Sequence, residues 1–411
     1  MEHLPVEVVG NILSRLGAAR DVVMASATCS KWREVYCKHL QTFSFNSSDW
    51  PVYRDLPSQV LEILITQTIF QTTGLEALYI LLDAKFLAST VISWLMYTRK
   101  KLRRLFCNVQ TTPSVKILEI FGWHKLETLA LAHNSISGVF KRFPCLKSLS
   151  LRFVSISALD LSLLLIVCSK IETLELIDLE IAMSDEDEEL TVELINPTLK
   201  TLYVEAISLD KLILQVDSIE RLNLKFCAFE DFKIVRKGTL KQLKTDDVSL
   251  FHLDTVETVD IRKFSIRWPK LYKMILRSSK LRRFQLWDMV VFKEDEIVDL
   301  ETIAVSFPQL THLSLYYDFS VGVVHYGLQE RSSQLVNLTF LELGWTVIND
   351  FFPGWVEVML KRCTNLKKLV IHGVIPEVKT HKECQMLADF TSAIVELIRK
   401  YIHLEVKFYF E

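Results

Sequence analysis

Glycine is scarce: 11 in a chain of 411 residues, about 2.7% where about 7% is ordinary. Loops that cradle a phosphate are built from consecutive backbone N–H groups and need glycine to form. Neither GxGxxG nor GxxxxGK[ST] occurs, which disfavours nucleotide-loop enzymes. Paired cysteines are missing too. Cys29, Cys37, Cys107, Cys145, Cys168, Cys227, Cys363 and Cys384 include no CxxC and lie far apart, which predicts reduced thiols behaving as small hydrophobes rather than a disulfide or zinc scaffold. Long apolar runs are absent. Stretches such as Leu163 to Cys168 reach about six residues, against roughly 20 for a membrane span. The N-terminus carries Glu2 and Glu7 in place of a basic, then apolar, leader, so a cytosolic or nuclear protein with no membrane partner is expected. Finally, neither sign of charge is in surplus: 48 Lys and Arg against 50 Asp and Glu leave −2. A nucleic-acid partner is therefore not expected. With no HExxH, HxxxH or GxSxG in the chain, no catalytic residue, metal or cofactor is expected, and isolated histidines such as His133 and His312 read as packed or solvated.

What the chain has instead is hydrophobic surface, half of its residues, with 24 Phe. That surface is arranged periodically. The pattern LxxLxL, with other apolar residues at some leucine positions, begins at Leu75, Leu102, Leu126, Leu146, Ile171, Leu199, Ile219, Leu240, Val256, Leu281, Leu310, Leu338 and Leu366. Twelve steps span the 291 residues from 75 to 366, a mean near 24, inside the 20 to 29 range of leucine-rich repeats. The fold class predicted is α/β: a leucine-rich-repeat solenoid of about 13 coils over residues 41–381, each with a strand on one side and a helix or irregular turn on the other. Ser89 to Lys100 and Trp355 to Arg362 have apolar residues at helical spacing. The fuller consensus ending in Asn or Cys is met at Asn134 and Cys227, which are expected to be buried against the next coil's backbone. Residues 382–411 read as a capping helix and strand, and Asp185 to Glu189 as a solvated acidic loop.

The first 40 residues depart from this period. Leu4-Pro5 and Glu7 open a helix whose apolar face is Val9, Ile12, Leu13 and Leu16, and Gly17 stops it. A second short helix is expected around 21–28. A third carries Cys29, Trp32, Tyr36 and Leu40 on one face. LPVEVVGNILSRL followed by Cys29-Ser-Lys-Trp-Arg33 resembles an F-box, with its LPxE start, I-L-x-x-L helix and closing C-x-K-W-R. The match covers about a tenth of the chain. A second LPxxVxxxL opening at Leu56 lacks the Trp-Arg that should follow, and residues 56–66 read as a degenerate first repeat, with a possible strand from Leu40 before it.

F-box and repeats together resemble the F-box/leucine-rich-repeat family, in a form most familiar from plants. The resemblance implies a non-catalytic substrate receptor of a Skp-cullin-F-box ubiquitin ligase, in which the F-box docks on a Skp-type adaptor and the repeats hold a protein for ubiquitination. Carried over, Leu4, Pro5, Glu7, Val8, Ile12, Leu13, Leu16 and Trp32 are adaptor-facing or F-box-core positions. The sequence does not sort these two roles. The alternative is a repeat scaffold or small-molecule co-receptor that acts without a ligase, its F-box-like helices merely capping the stack.

Repeat phase also predicts which side chains face the open, concave side of the strands: those flanking and between the last two leucines of each motif. Among them are Ser148, Ser150 and Arg152, then Thr173 and Glu175. Cations gather further on, with Arg221, Lys225, Lys244, Arg262 and Arg283 on four consecutive coils and Trp287 and Tyr316 alongside. Two readings stay open. Either this strip contacts an acidic segment, a phosphate or an anionic cofactor, or it is a solvated face partly neutralised by Asp246 and Asp260.

Overall fold

The computed structural model describes residues 4–410 except 121–123, 139, 141, 183–188, 236–238, 247–254, 263–271, 274, 277, 290–296, 300–302, 304, 318–324, 328–334, 348–351 and 375–380. Most of the acidic run expected to be a solvated loop thus lies outside the described residues. The chain divides into two compact units, Met1–Ile219 with Phe226–Lys237, and Glu220–Lys225 with Gly238–Glu411.

In the first unit three helices, α1 (Val6–Leu16), α2 (Ala19–Ser26) and α3 (Ser30–His39), precede the repeats. Pro5 is the N-cap of α1, one position earlier than a first-turn proline, and its carbonyl receives the N–H groups of Val8 and Val9, both at 3.1 Å. At the other end Gly17 takes φ 72°, ψ −63°, and Ala18 N–H donates to the Leu16 carbonyl at 2.8 Å. This is a γ-turn of the rare positive-φ kind. Glycine adopts it without a Cβ clash, and the chain can reverse into α2 with no linker.

Seven parallel strands follow in chain order: Thr42–Asn46, Ala77–Leu87, Arg104–Thr112, Thr128–Ala132, Ser148–Arg152, Thr173–Ile177 and Thr201–Glu205. In the second unit eight more run parallel, from Arg221–Lys225 to the last pair, Lys368–Val374 with Glu405–Phe410. All thirteen LxxLxL motifs carry a strand. Side chains alternate across each, so the leucines form inward columns: Leu129, Leu149, Leu174 and Leu202 in one unit, Leu313, Leu341 and Leu369 in the other, all buried. Each such leucine is worth about 1.5–3 kcal/mol of transfer free energy.

The first strand, Thr42–Asn46, belongs to a coil whose return is the helix Ser58–Phe70. Residues 56–66 are therefore the helical side of a coil rather than a repeat motif of their own. Helices also return the chain at Ala88–Thr98, Ala158–Val167 and Phe352–Arg362. A 3-10 turn, Ile117–Glu119, serves another coil of the first unit, and further along that unit the return side is extended. Three strands, Thr191–Ile195, Ser208–Gln215 and Ala228–Ile234, pair in parallel. The physical reason lies in the spacing of the core residues: Val192 and Leu194 on one strand and Leu212 and Leu214 on the next are buried, an alternate pattern that a pleated strand serves and one helix face does not.

Four successive coils of this unit turn out of the strand through a left-handed residue that is not glycine, His133, Phe153, Asp178 and Ala206, and Phe226 is a fifth such residue, all with φ 50–56°. A chain this poor in glycine places ordinary side chains where most chains would use it. The turns are held by main-chain bonds to the next coil, as from His133 N–H to the Arg152 carbonyl at 3.1 Å and from Asp178 N–H to the Glu205 carbonyl at 2.8 Å. Of the two consensus residues expected to be buried, Asn134 is buried and Cys227 half-buried. Asn134 donates to the Ala132 carbonyl of its own coil (2.6 Å), and the Cys227 thiol to the Val204 carbonyl of the preceding one (3.4 Å).

A second column, one residue into each of the first ten motifs, alternates in charge: Glu76, Arg103, Glu127, Lys147, Glu172 and Lys200 in the first unit, Glu220, Lys241, Glu257 and Arg282 in the second. Main-chain bonds join its neighbours coil to coil, for example Glu127 N–H to the Arg103 carbonyl at 2.7 Å. Ion pairs reinforce it: Arg103 with Glu76 (3.7 Å) and Glu127 (3.0 Å), Lys200 with Glu172 (3.0 Å), and Lys241 with Glu220 (3.2 Å). At a strand spacing of about 4.8 Å, alternation of sign is the arrangement that avoids like-charge neighbours.

Candidate protein-binding faces

The three N-terminal helices sort the eight residues whose roles the sequence left mixed. Val9 and Leu13 of α1 are fully buried, packed inside with Val22, Trp32 and Val35. On α1 the residues at i, i+4 and i+8 lie on the adjoining flank, which is open. Val8 is 40% exposed, Ile12 37% and Leu16 40%. Pro5 and Glu7 are also exposed, and Leu4 is half-buried. Ile12 and Leu16 thus lie on the one apolar face that the spacing predicts, beside Val9 and Leu13, but on its uncovered flank. Spacing alone does not show which part of a broad apolar arc the unit itself covers. On α2, Val23 and Met24 are exposed as well, at 38% and 59%. Sequence reasoning missed these two, although the run Val22-Val23-Met24 holds more apolar residues than one buried face of a short helix can take. Five exposed large apolar residues on two short helices are a surface made to be covered.

Behind this face the unit is fixed to the first coil. Tyr36 of α3 donates its hydroxyl to the Thr68 carbonyl (3.2 Å) and packs edge-on against Phe43 (5.8 Å between ring centroids). Burial raises its phenol well above the ordinary range.

On the repeats, the side chains predicted to face away from the leucines do so. In the second unit they form columns in register, such as Lys244, Asp260, Gln285, Ser314 and Glu342. Lys244 pairs with the buried Asp260 carboxylate at 3.2 Å, which neutralises one of the five cations of the strip. The Arg262 guanidinium lies over Trp287 (6.0 Å), and Trp287 stacks on Tyr316 at 4.0 Å. The structure thus brings together three of the residues picked out along the chain. Arg221 and Arg283 are exposed and Lys225 half-buried on the same face.

Tyr316 also meets two further side chains of the same open face, Glu342 and His372. Its hydroxyl donates to Glu342 and lies 2.8 Å from His372 Nε2, and His372 stacks on Tyr409 at 4.8 Å. Burial first, and then the Glu342 hydrogen bond, raise the Tyr316 phenol above its usual range. Gly344 faces Tyr316 across the strand pair, and a β-carbon there would sit inside the tyrosine ring. That signal is invisible along the chain, because Tyr316, Gly344 and His372 are 28 residues apart and meet only when the coils stack.

A helical unit with an open apolar flank thus precedes a parallel-strand repeat whose open side carries polar and aromatic side chains. Residues 1–42 match the F-box-like domain family. A protein of Arabidopsis thaliana named as an F-box/LRR-repeat protein is 62% identical to this chain, over the full length of both. The chain belongs to the F-box/leucine-rich-repeat family, whose members serve in general as substrate adaptors of Skp-cullin-F-box-type ligases.

Proposed function

We propose that the chain is the non-catalytic substrate receptor of a Skp-cullin-F-box ubiquitin ligase, acting in the cytoplasm or nucleus. Its F-box docks on a Skp-type adaptor through Val8, Ile12 and Leu16, with Leu4, Pro5 and Glu7 at the helix start and Val23 and Met24 beside them. Leu13 and Trp32 hold the helices in place from inside. The repeats, a leucine-rich-repeat solenoid of about 13 coils, hold the target protein on the strand face opposite the leucines, and Arg221, Lys225, Lys244, Arg262, Arg283, Trp287 and Tyr316 contribute to that face.

The observation that carries this reading is the outward stripe of α1. Two-fifths exposure of three large aliphatic residues leaves about 2–3 kcal/mol of apolar transfer free energy unused, within a segment of the F-box-like family. Capture of a purified Skp-type adaptor tests it. Ile12→Glu with Leu16→Glu is expected to abolish capture while the helical circular dichroism stays that of wild type. Equal capture by wild type and variant, or capture by neither, rejects the ligase role.

A further inference from the structure

The middle column on the open strand face of the first unit reads Tyr79, Phe106, Ala130, Ser150, Glu175, Tyr203 on six successive strands in register. Two large rings, two small residues and two large polar side chains make a notch. Its floor is widened by Ser148 and Ala132 in the flanking columns, and it encloses about 330 Å³. Phe106 forms one wall, braced by stacking on Tyr79 at 4.6 Å and 15°. Opposite stands Glu175, with the Arg152 guanidinium 3.7 Å from its carboxylate. Phe106 and Glu175 are three strand spacings apart, about 14 Å between backbones, so a flat ring can enter edge-on between them.

One polar atom in the floor is unsettled. Ser150 is only 8% exposed, and its hydroxyl has no hydrogen-bond partner among the described residues. A buried hydroxyl left in this state lowers stability until something bonds to it. These features define an occupant. It has an apolar, flat body to cover Ala130, Ala132 and the Phe106 face, and one neutral hydrogen-bonding tip for Ser150. It brings no net charge, since Arg152 and Glu175 already offset each other. Among protein side chains, tyrosine meets all of these conditions: its ring packs against Phe106 and its phenol both donates and accepts.

We infer that this notch is a specificity pocket for a tyrosine side chain presented by the protein the repeats bind, an inference that rests on the receptor reading above. The affinity of the notch for the side chain needs no ligase component and is measured alone. The full chain, labelled with ¹³C at alanine methyls, is titrated with acetyl-Ala-Tyr-Ala-amide, acetyl-Ala-Phe-Ala-amide and p-cresol. The Ala130 and Ala132 methyls are expected to shift saturably with the tyrosine peptide and about 3- to 10-fold more weakly with the phenylalanine peptide, the worth of one hydrogen bond. Ser150→Ala should remove the discrimination and leave both peptides at the phenylalanine level. Ala130→Leu should fill the floor and lose both, with unchanged shifts at distant methyls as proof of folding. The inference is overturned if neither peptide shifts these methyls, if the two peptides tie, if Ser150→Ala keeps the preference, or if p-cresol binds and the tyrosine peptide does not. Adaptor capture by the same Ser150 and Ala130 variants is expected to match wild type. Failure of the pocket and failure of the ligase role are therefore read from separate measurements.

Discussion

Reversing one rung of the alternating charge column isolates its contribution. Arg103 sits between Glu76 at 3.7 Å and Glu127 at 3.0 Å, with about half of its side chain exposed. Exposed pairs contribute about 0.2–1 kcal/mol each, so Arg103→Gln, which deletes two, should cost about 1 kcal/mol after solvent screening. Arg103→Glu deletes the same pairs and sets three carboxylates in consecutive coils. Attractions become repulsions of similar size, and the cost should rise to about 2 kcal/mol. The extra ~1 kcal/mol is electrostatic, so it should fade in 1 M salt, where the screening length is about 3 Å. A chain of 411 residues in two compact units is not a safe two-state system, so the readout must be local. Hydrogen exchange of the amides in Arg104–Thr112 reports the opening free energy of that strand. Arg103→Glu should open it about fivefold more than Arg103→Gln at 50 mM salt, and equally at 1 M. If the two variants match at low salt, or if their difference survives high salt, the column is a sequence pattern without energetic content.

Three further substitutions probe other steps of the construction. Gly17→Ala meets no atom within 4 Å, so its cost is conformational alone, about 1–2 kcal/mol for a Cβ in the left-handed region; hydrogen exchange should show the amides of Val6–Leu16 opening more readily, and unchanged protection there would refute the γ-turn. Gly344→Ala forces the Tyr316 ring away from Trp287 and from Glu342 and should cost about 1–3 kcal/mol as overpacking, with a change in tryptophan fluorescence that a wild-type spectrum would contradict. His312, stacked on Phe340, has its pKa lowered first by burial and then by the Arg283 charge. The folded state therefore binds this proton less readily than the unfolded chain, whose histidine titrates near 6.5. Stability from the neutral ring is present above that pH and is lost as pH falls below it. Wild type should lose ground to His312→Gln on going from pH 7.5 to 5, measured as the difference in opening free energy of the amides in His312–Tyr317 by hydrogen exchange. A gap independent of pH would sink this account.

The strand of every coil could be read from the chain because a buried leucine column imposes one spacing on each coil, and thirteen copies of that spacing outweigh any local irregularity. Alternation then told which side chains point outward, and Ser150, Arg152 and Glu175 stood among them before any coil was stacked. What those side chains do together could not be read in the same way. Ala130 and Ser150 are 20 residues apart and Tyr316 and Gly344 are 28. A notch or a ring seated on a glycine is a property of adjacent coils, with no trace in either coil alone. The basic strip makes the same point in reverse. Counting cations along consecutive coils gave Lys244 the same weight as Arg262. In the sheet, however, Lys244 is half of an ion pair with a buried carboxylate, while Arg262 lies over the Trp287 ring. Linear charge therefore overstates the field on this face, and the partner is better sought by shape and hydrogen bonding than by charge. The N-terminal helices hid their division of labour for a different reason. Periodicity marks an apolar arc by contrast with polar neighbours, and in α1 Val8, Val9, Ile12, Leu13 and Leu16 all fall within one such arc, so the pattern alone does not show where burial stops. A helix that must bury one flank of its arc in its own unit and cover the other with a partner needs an arc wider than its own core. The breadth of the apolar arc in α1 is thus itself a mark of a docking helix.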